Sequence, residues 1–180
     1  MDEILKMSNS NKKTLIAYYS RKGQNYVSGQ IVDLAVGNTE VAARMIQELT
    51  GGNLFEIRTV KDYPLDYTET TRVAATEKRN NARPELTNIV DQMDMYDVIY
   101  LGYPNWWGTF PMAVFTFLES YDFSGRTIVP FCTHEGSGLG NSERDIRKLC
   151  PNAKVLPGIA IRGGSVKNAG NSIKTWLSGK

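Results

Sequence analysis

Two short polar clusters have the composition of an anion-binding site. Ser20 and Arg21 follow an apolar run, and Gly37, Asn38 and Thr39 precede an amphipathic helical pattern. Backbone N–H groups at the start of a helix, flanked by hydroxyl and amide side chains, suit a phosphate dianion. Helix capping alone would need only one such side chain. We therefore expect the two clusters to form one phosphate site, with the intervening fifteen residues looped out.

An aromatic segment follows the third predicted strand. Its members are Pro104, Asn105, Trp106, Trp107 and Gly108. Adjacent tryptophans on a loop are costly to expose, because each carries a large apolar surface. They could instead cover the core or form a protein interface. A flat aromatic ligand stacked on one indole explains the pair more economically.

A glycine-rich segment follows the fourth predicted strand. We select Thr133, His134, Gly136, Ser137 and Gly138 as its candidate ligand-binding residues. Glycines free the backbone to approach a ligand edge and to offer it amide donors. A plain flexible connection is the alternative interpretation of this segment.

The order of the elements predicts an α/β doubly wound three-layer sandwich. Apolar strand-like runs alternate with helical patterns, which is typical of parallel βαβ units. The five predicted strands are Thr14–Tyr19, Leu54–Val60, Val98–Leu101, Thr127–Phe131 and Val155–Ile161. Ligands of such sheets bind beyond the carboxyl ends of the strands, so the three polar segments should meet there. Together they fit a planar heteroaromatic monophosphate such as FMN.

Several local patterns give finer predictions. Residues 1–13 are expected to be a flexible tail, and residues 14–180 a single domain. Residues 22–36 predict a small hairpin turning at Ser28-Gly29, and 61–88 an exposed helix centred on 72–79. We place Pro130 near the end of the fourth strand. Ser142 and Asp145 are expected to form a capping box, and Ser165 is expected to cap the last helix.

Composition excludes several functional classes. The net charge of +2 over 180 residues is too weak to indicate nucleic acid or an anionic membrane as a partner. No apolar run approaches a membrane span, and the nucleotide patterns GxxxxGK[ST] and GxGxxG are absent. His134 is the only histidine, so we expect no metal site. Cys132 and Cys150 lack CxxC spacing, which favours reduced thiols in a cytoplasmic protein.

At the three polar segments the chain resembles the flavodoxin family. Ser-Arg followed by Gly-Asn-Thr resembles its phosphate loop; Tyr-Pro-Asn-Trp-Trp-Gly and Pro-Phe-Cys-Thr-His-Glu-Gly-Ser-Gly resemble its two isoalloxazine loops. The resemblance covers most of 14–177 and points to a bacterial branch with an insertion in the phosphate loop. It implies a flavodoxin-like five-stranded sheet of order 2-1-3-4-5, with FMN as the cofactor. It also implies that the first segment holds the phosphate and the other two line the isoalloxazine ring.

Three functions are compatible with this resemblance. The first is electron transfer with a redox protein partner; carrier flavodoxins are typically acidic, so docking through an acidic face is not expected here. The second is an NAD(P)H-dependent reductase of quinones, flavins or other small acceptors. That role would use His134 near the flavin, and cations near a 2′-phosphate: Arg72, Lys78, Arg79 or Arg83. The third is a non-catalytic flavin-binding sensor. No catalytic residue is assigned in any of the three.

Overall fold

The computed structural model describes residues 12–180, in which a parallel sheet carries helices on both faces. The strands are β1 (Thr14–Tyr18), β2 (Gly23–Val27), β3 (Gln30–Leu34), β4 (Asn53–Glu56), β5 (Val98–Pro104), β6 (Thr127–His134), β7 (Lys154–Val155) and β8 (Ile159–Arg162). The helices are α1 (Asn38–Thr50), α2 (Tyr67–Arg79), α3 (Met112–Glu119), α4 (Ser142–Leu149) and α5 (Gly170–Ser178), with 3₁₀ turns at Met93–Met95 and Gly163–Asn168. Most of the predicted tail lies outside the described residues. No helix of the described chain is long and apolar enough to cross a membrane.

The main sheet has the predicted flavodoxin-like order. Its strands run β4-β1-β5-β6-β7, with β8 also paired to β6, and every pair is parallel. This is the order 2-1-3-4-5 with the fifth strand divided into two pieces. The sheet therefore has six strands instead of five, because the edge strand leaves its ladder at Pro157-Gly158.

Pro130 explains where the edge strand divides. It lies in the middle of β6, opposite Leu101, and not near the strand end as predicted. Leu156 N donates to Ile128 O at 3.0 Å, so the backbone groups of Ile128 face the edge strand. Groups two residues apart point to the same side of a strand, so Pro130 also faces the edge strand, where it has no N–H to donate. A central strand thus tolerates a proline because its neighbour is interrupted there.

The core consists of two layers, one on each face of the sheet. On one face α1 and α5 pack on β1, β5 and β6, with Ile16, Ile46, Phe131 and Ile173 inaccessible to solvent. On the other face α3 and α4 contribute Phe117 and Ile146. Because both faces are covered, the central strands are continuous apolar runs.

The insertion between the two polar clusters forms the predicted hairpin. β2 and β3 pair antiparallel, with Val27 opposite Gln30. The two residues between them, Ser28 and Gly29, have φ values of 51° and 84°. Two left-handed residues in a two-residue loop follow the twist of the strands and fix the register of the hairpin.

One helix prediction agrees with the structure and another does not. α2 starts at Tyr67, where the Asp66 side chain accepts from Glu69 N at 2.8 Å, and its middle residue, Val73, lies within the predicted 72–79. Before α5 the chain forms the 3₁₀ turn Gly163–Asn168, and Ser165 caps no helix. The predicted apolar face is retained, because Val166 and Ile173 are both buried.

The predicted capping box of Ser142 is wrong. Ser142 is completely buried, and its hydroxyl donates to Leu139 O at 2.6 Å while it accepts from Tyr103 OH at 2.8 Å. Asp145 instead accepts from Thr109 Oγ1 at 2.7 Å. Buried hydroxyls must find partners, and Ser142 satisfies both Tyr103 and a loop carbonyl. The serine therefore links β5 to the loop before α4.

We expect Ser142→Ala to lower the free energy of unfolding by about 2 kcal/mol, because it leaves the buried Tyr103 OH without an acceptor, while Leu139 O keeps the bond from the backbone N–H of residue 142. Tyr103→Phe should cost only about 1 kcal/mol, since Ser142 keeps its acceptor. Urea unfolding measures both values. Ser178→Ala is the control, because that hydroxyl also donates to a backbone carbonyl but is exposed. A neutral Tyr103→Phe variant would contradict this network.

Candidate functional site

The three predicted ligand segments meet at the carboxyl edge of the sheet. Tyr19 N donates to Gly102 O at 3.0 Å, and Pro104 lies opposite Thr133 in the register of β5 and β6. A cleft of about 240 Å³ opens between the segments. The cleft is lined by Arg21, Asn25, Tyr26, Asn38, Thr39, Tyr67, Pro104, Asn105, Trp106, Thr133, His134, Glu135, Ser137 and Gly163.

Nine of the fifteen predicted site residues line this cleft. They are Arg21, Asn38, Thr39, Pro104, Asn105, Trp106, Thr133, His134 and Ser137. The other six lie in the same segments without lining it: Ser20, Gly37, Trp107, Gly108, Gly136 and Gly138. The structure thus brings all three segments together, while only part of each faces the cleft.

The first segment closes because Gly37 has no side chain. A Cβ on Gly37 would lie 2.2 Å from Ser20 Oγ and 2.6 Å from Arg21 O. α1 begins directly after Gly37 without a side-chain cap, and Glu40 N donates to Ser20 Oγ at 3.1 Å. The helix itself offers no acceptor to the amides of Asn38 and Thr39. These amides and the positive end of the helix dipole are suited to an anion.

The carboxylate of Glu40 is engaged away from these amides. Its Oε1 accepts from Tyr18 OH at 3.1 Å and lies 3.4 Å from Arg44 Nη2. Burial, with the negative charge of Glu40, raises the pKa of Tyr18 well above its usual range. The negative charge of Glu40 in the first turn can therefore interact favourably with the helix dipole without facing a bound anion.

Arg21 holds the surrounding loops together. Its Nε donates to Gln24 O at 2.9 Å, and its Nη2 donates to Pro64 O at 3.1 Å and Leu65 O at 3.0 Å. Burial lowers the pKa of this guanidinium, which nevertheless stays protonated. Arg21 thus places a positive charge at the cleft while its donors join the hairpin to the segment before α2.

The two tryptophans have different environments. Trp106 is partly buried, and its ring meets Tyr19 and Tyr63 edge-on at centroid distances of 5.4 and 5.2 Å. Trp107 is 55% exposed, and its side chain contacts helix α2, where the indole Nε1 donates to Thr71 O at 3.0 Å. Lys78 Nζ also donates to the carbonyl of Trp107. Of these two tryptophans, only Trp106 lines the cleft and can contact a ligand there.

Asn105 connects the second and third segments. Its backbone N donates to Thr133 O at 2.9 Å, and its side-chain Nδ2 donates to Gly138 O at 2.9 Å. Its Oδ1 accepts from Gly108 N at 2.9 Å, closing a turn in which Trp107 and Gly108 have positive φ. Thr39 and Thr133 add a buried hydroxyl pair at 2.7 Å between the first and third segments. The floor of the cleft is consequently a connected hydrogen-bond network.

Five residues that line the cleft are not among the fifteen predicted site residues, although one of them, Glu135, lies within a predicted segment. Asn25 and Tyr26 come from the hairpin, Tyr67 from the start of α2, Glu135 from the glycine-rich segment, and Gly163 from the 3₁₀ turn after β8. The Tyr26 and Tyr67 rings stack at 6.1 Å with an interplanar angle of 24°. Neither tyrosine follows a strand of the main sheet, so the strand-end argument could not select them.

His134 is a neutral ring in this environment. Its Nδ1 accepts from Gly136 N at 2.9 Å, which places the proton on Nε2. Burial, followed by the nearby positive charge of Arg162, lowers the pKa of His134 below its ordinary 6.5. The ring is therefore a hydrogen-bond donor through Nε2 and not a cation near neutral pH.

We expect the single histidine to titrate below pH 6.5 in NMR spectra of the folded protein. Because the folded pKa is depressed, the stabilisation from neutral His134 is fully present above pH 6.5 and is lost as the pH falls through the folded pKa. Urea unfolding of the wild type and of His134→Gln should therefore diverge below pH 6.5. A titration midpoint at or above 6.5 would contradict this description.

Comparisons with known proteins agree with this architecture. The sequence model of the flavodoxin family matches residues 13–179. No curated protein matches the chain. A crystal structure assigned as a flavoprotein, from Bacteroides uniformis ATCC 8492, is 30% identical with a TM-score of 0.71, covering 91% of this chain and 99% of that one.

Two further structures share the fold. One, assigned as a flavoprotein from Bacteroides eggerthii DSM 20697, is 29% identical with a TM-score of 0.75, covering 93% of this chain and 97% of that one. A flavoprotein from Lactobacillus acidophilus NCFM, crystallised in complex with FMN, is 23% identical with a TM-score of 0.63, covering 92% of this chain and 98% of that one. Since the family model spans nearly all of the described residues, the chain belongs to the flavodoxin family.

Proposed function

We propose that this chain binds FMN in the cleft and acts in electron transfer. The observation that carries the proposal is the joining of a helix start, an aromatic side chain and a glycine-rich loop in one cleft. A flavin mononucleotide needs an anion site at one end and a planar, partly apolar site at the other. The flavoprotein from Lactobacillus acidophilus NCFM was crystallised with FMN, which supports the assignment.

The phosphate fits the first segment. The amides at the start of α1 are directed out of the helix, and Ser20, Asn38 and Thr39 supply hydroxyl and amide groups around them. Arg21 contributes positive charge, although its Nε and Nη2 are engaged with carbonyls. Gly37 contributes by its lack of a side chain, which keeps α1 close to Ser20.

The isoalloxazine ring fits the other two segments. Pro104, Asn105 and Trp106 line the cleft from one side, and Thr133, His134 and Ser137 line it from the other. The neutral His134 can donate from Nε2 to a ring acceptor. Trp107 and Gly108 serve by forming the turn, and Gly136 and Gly138 by shaping their loop. When bound, FMN supplies the redox chemistry, while the protein orients it and sets its surroundings.

Two of the cations that could bind the 2′-phosphate of NADPH already have other partners, which favours electron transfer over NAD(P)H reduction. Arg83 forms an ion pair with Glu119 at 2.9 Å and lies over Phe115, and Lys78 is bonded to Trp107 O. Both would have to leave these contacts to bind a 2′-phosphate. The lowered pKa of His134 also withdraws the positive charge that a reductase would use beside the flavin. A redox protein is therefore the partner that we propose.

The two cysteines are compatible with a cytoplasmic location, which we also propose. Both are free and buried, and burial raises the pKa of Cys132 to about 12 and that of Cys150 to about 11. Such thiols are protonated and unreactive at neutral pH.

We expect FMN to bind at least about 100-fold more tightly than riboflavin, because charge-assisted hydrogen bonds at the phosphate contribute roughly 1.5–3 kcal/mol each. Asn38→Ala should weaken FMN binding about 10-fold and leave riboflavin binding unchanged. Calorimetric or fluorescence titration of both ligands measures this. Riboflavin is the internal control, because it shares the ring and lacks the phosphate. Equal affinities for the two ligands would refute the phosphate assignment.

We expect the FMN-loaded protein to resist reduction by NADH and NADPH under anaerobic conditions, and to be reduced by dithionite in two resolved one-electron steps. Absorbance at flavin wavelengths and potentiometric titration follow the two processes. Rapid bleaching of the flavin by NADH or NADPH would refute the electron-transfer proposal and support the reductase function. Loss of the resolved steps would count against a carrier.

A further inference from the structure

The inserted hairpin borders the cleft instead of projecting away from it. Asn25 and Tyr26, both on β2, line the cleft together with Tyr67. Tyr26 is 43% exposed even though one face of its ring stacks on Tyr67. An aromatic side chain that keeps open surface at a cleft has contact area available for a ligand.

From this geometry we infer that Tyr26 and Tyr67 form an aromatic wall that contacts the flavin ring. The inference rests on the proposed binding of FMN and goes beyond it, because it makes the insertion part of the cofactor site. Tyr26 and Tyr67 come from two segments outside the strand ends, and they form one stacked unit at 6.1 Å. A planar ring is the ligand chemistry that such a wall recognises.

The hairpin is anchored at its base, so the position of the wall is set before a ligand arrives. Arg21 Nε donates to Gln24 O at 2.9 Å. The side-chain oxygen of Gln24 accepts from Tyr67 N at 2.8 Å, which ties β2 to the start of α2. Asn25 Nδ2 donates to Arg21 O at 2.9 Å and to Gly23 O at 3.1 Å. The two tyrosines are thus brought together by hydrogen bonds between side chains and backbone as well as by ring contact.

The tip of the hairpin is anchored on the opposite side of the cleft. Ser28 N donates to Glu135 Oε2 at 3.0 Å, and Glu135 belongs to the glycine-rich segment. Gly164 lies so close to the tip that a Cβ there would be 2.5 Å from Ser28 Oγ. The hairpin therefore spans the cleft from the α2 side to the β6 side. Fixing both ends reduces the conformational entropy that a ligand must otherwise pay on binding.

The register of the hairpin also determines which backbone groups of β2 face away from β3. Among the strands of residues 12–180, β2 pairs only with β3, and Val27 opposite Gln30 closes the two-residue turn. Alternate residues therefore direct their backbone groups away from β3. The outward groups of Gln24 and Ser28 bond to Arg21 and Glu135, respectively. Tyr26, which lies between them, directs its N–H and C=O to the same side, where they can meet polar edges of a flavin.

The hairpin provides a closely matched control for Tyr26. Ile31 is its cross-strand partner, lies on the same face and is 53% exposed, but it does not line the cleft. We expect Tyr26→Ala to weaken FMN binding about 10-fold, as loss of one stacking partner does. Ile31→Ala should stay within about twofold of wild type, and Tyr26→Phe should retain wild-type affinity because its ring is intact.

Fluorescence of the bound FMN gives a second readout that is independent of activity. Stacked aromatic rings quench flavin emission, so Tyr26→Ala should raise the emission of bound FMN and its accessibility to iodide. Tyr67→Ala tests the same wall from α2 and should act in the same direction. The double variant should lose less than the sum of the two single losses, because the two rings act as one unit.

The outcomes separate this inference from the proposed function. If wild type binds FMN and Tyr26→Ala matches Ile31→Ala in affinity, emission and iodide quenching, the wall is refuted while FMN binding stands. If wild type binds no FMN, the proposed function fails and the wall fails with it. Circular dichroism and urea unfolding identify a variant that has lost its fold; Tyr67→Ala then decides the question, since it leaves the hairpin sequence intact.

Discussion

The cleft depends on the close approach of Gly37 to Ser20. A Cβ at position 37 would lie 2.2 Å from Ser20 Oγ, a separation that real Cβ atoms do not show. The chain passes from the end of β1 to Ser20 and Arg21, forms an excursion of fifteen residues, and returns to the same point to begin α1. The turn from strand to helix is therefore closed as if the insertion were absent. A side chain at position 37 would separate α1 from β1, and with it the helix amides from the hydroxyl that faces them.

The rest of the cleft is built mainly from backbone groups. Asn105 bonds to Thr133 O and Gly138 O, and Trp106 N donates to Thr109 O at 2.7 Å. Asn141 N donates to Gly108 O at 2.7 Å, which fixes the start of α4 against the same turn. These bonds hold the loops rigid, so binding requires little ordering.

The parallel strands and the meeting of the three segments could be predicted from the sequence, because buried parallel strands are apolar runs whose carboxyl ends share one edge. The strand order was implied by the resemblance to the flavodoxin family and not by the pattern itself. Features that depend on distant partners could not be predicted. Pro130 is tolerated because the edge strand breaks at Pro157-Gly158, and Ser142 serves Tyr103 instead of a helix end. The different roles of Trp106 and Trp107 follow from the positive φ of Trp107, which composition does not reveal. The contact of Tyr26 with Tyr67 requires the hairpin to fold back on α2, which no local pattern encodes.

The aromatic surroundings of the cleft bear on which redox chemistry it can support. Hydride transfer needs a nicotinamide lying flat on one face of the flavin, whereas electron transfer needs only a ring edge near the surface. Trp106 is held edge-on by Tyr19 and Tyr63, so it cannot swing aside without losing both contacts. If Tyr26 and Tyr67 cover part of the flavin ring, less of its surface remains accessible to a nicotinamide. A cleft walled in this way favours exchange of electrons across an edge. A net charge of only +2 gives little long-range attraction, so we expect the proposed redox partner to be recognised through shape and apolar contact.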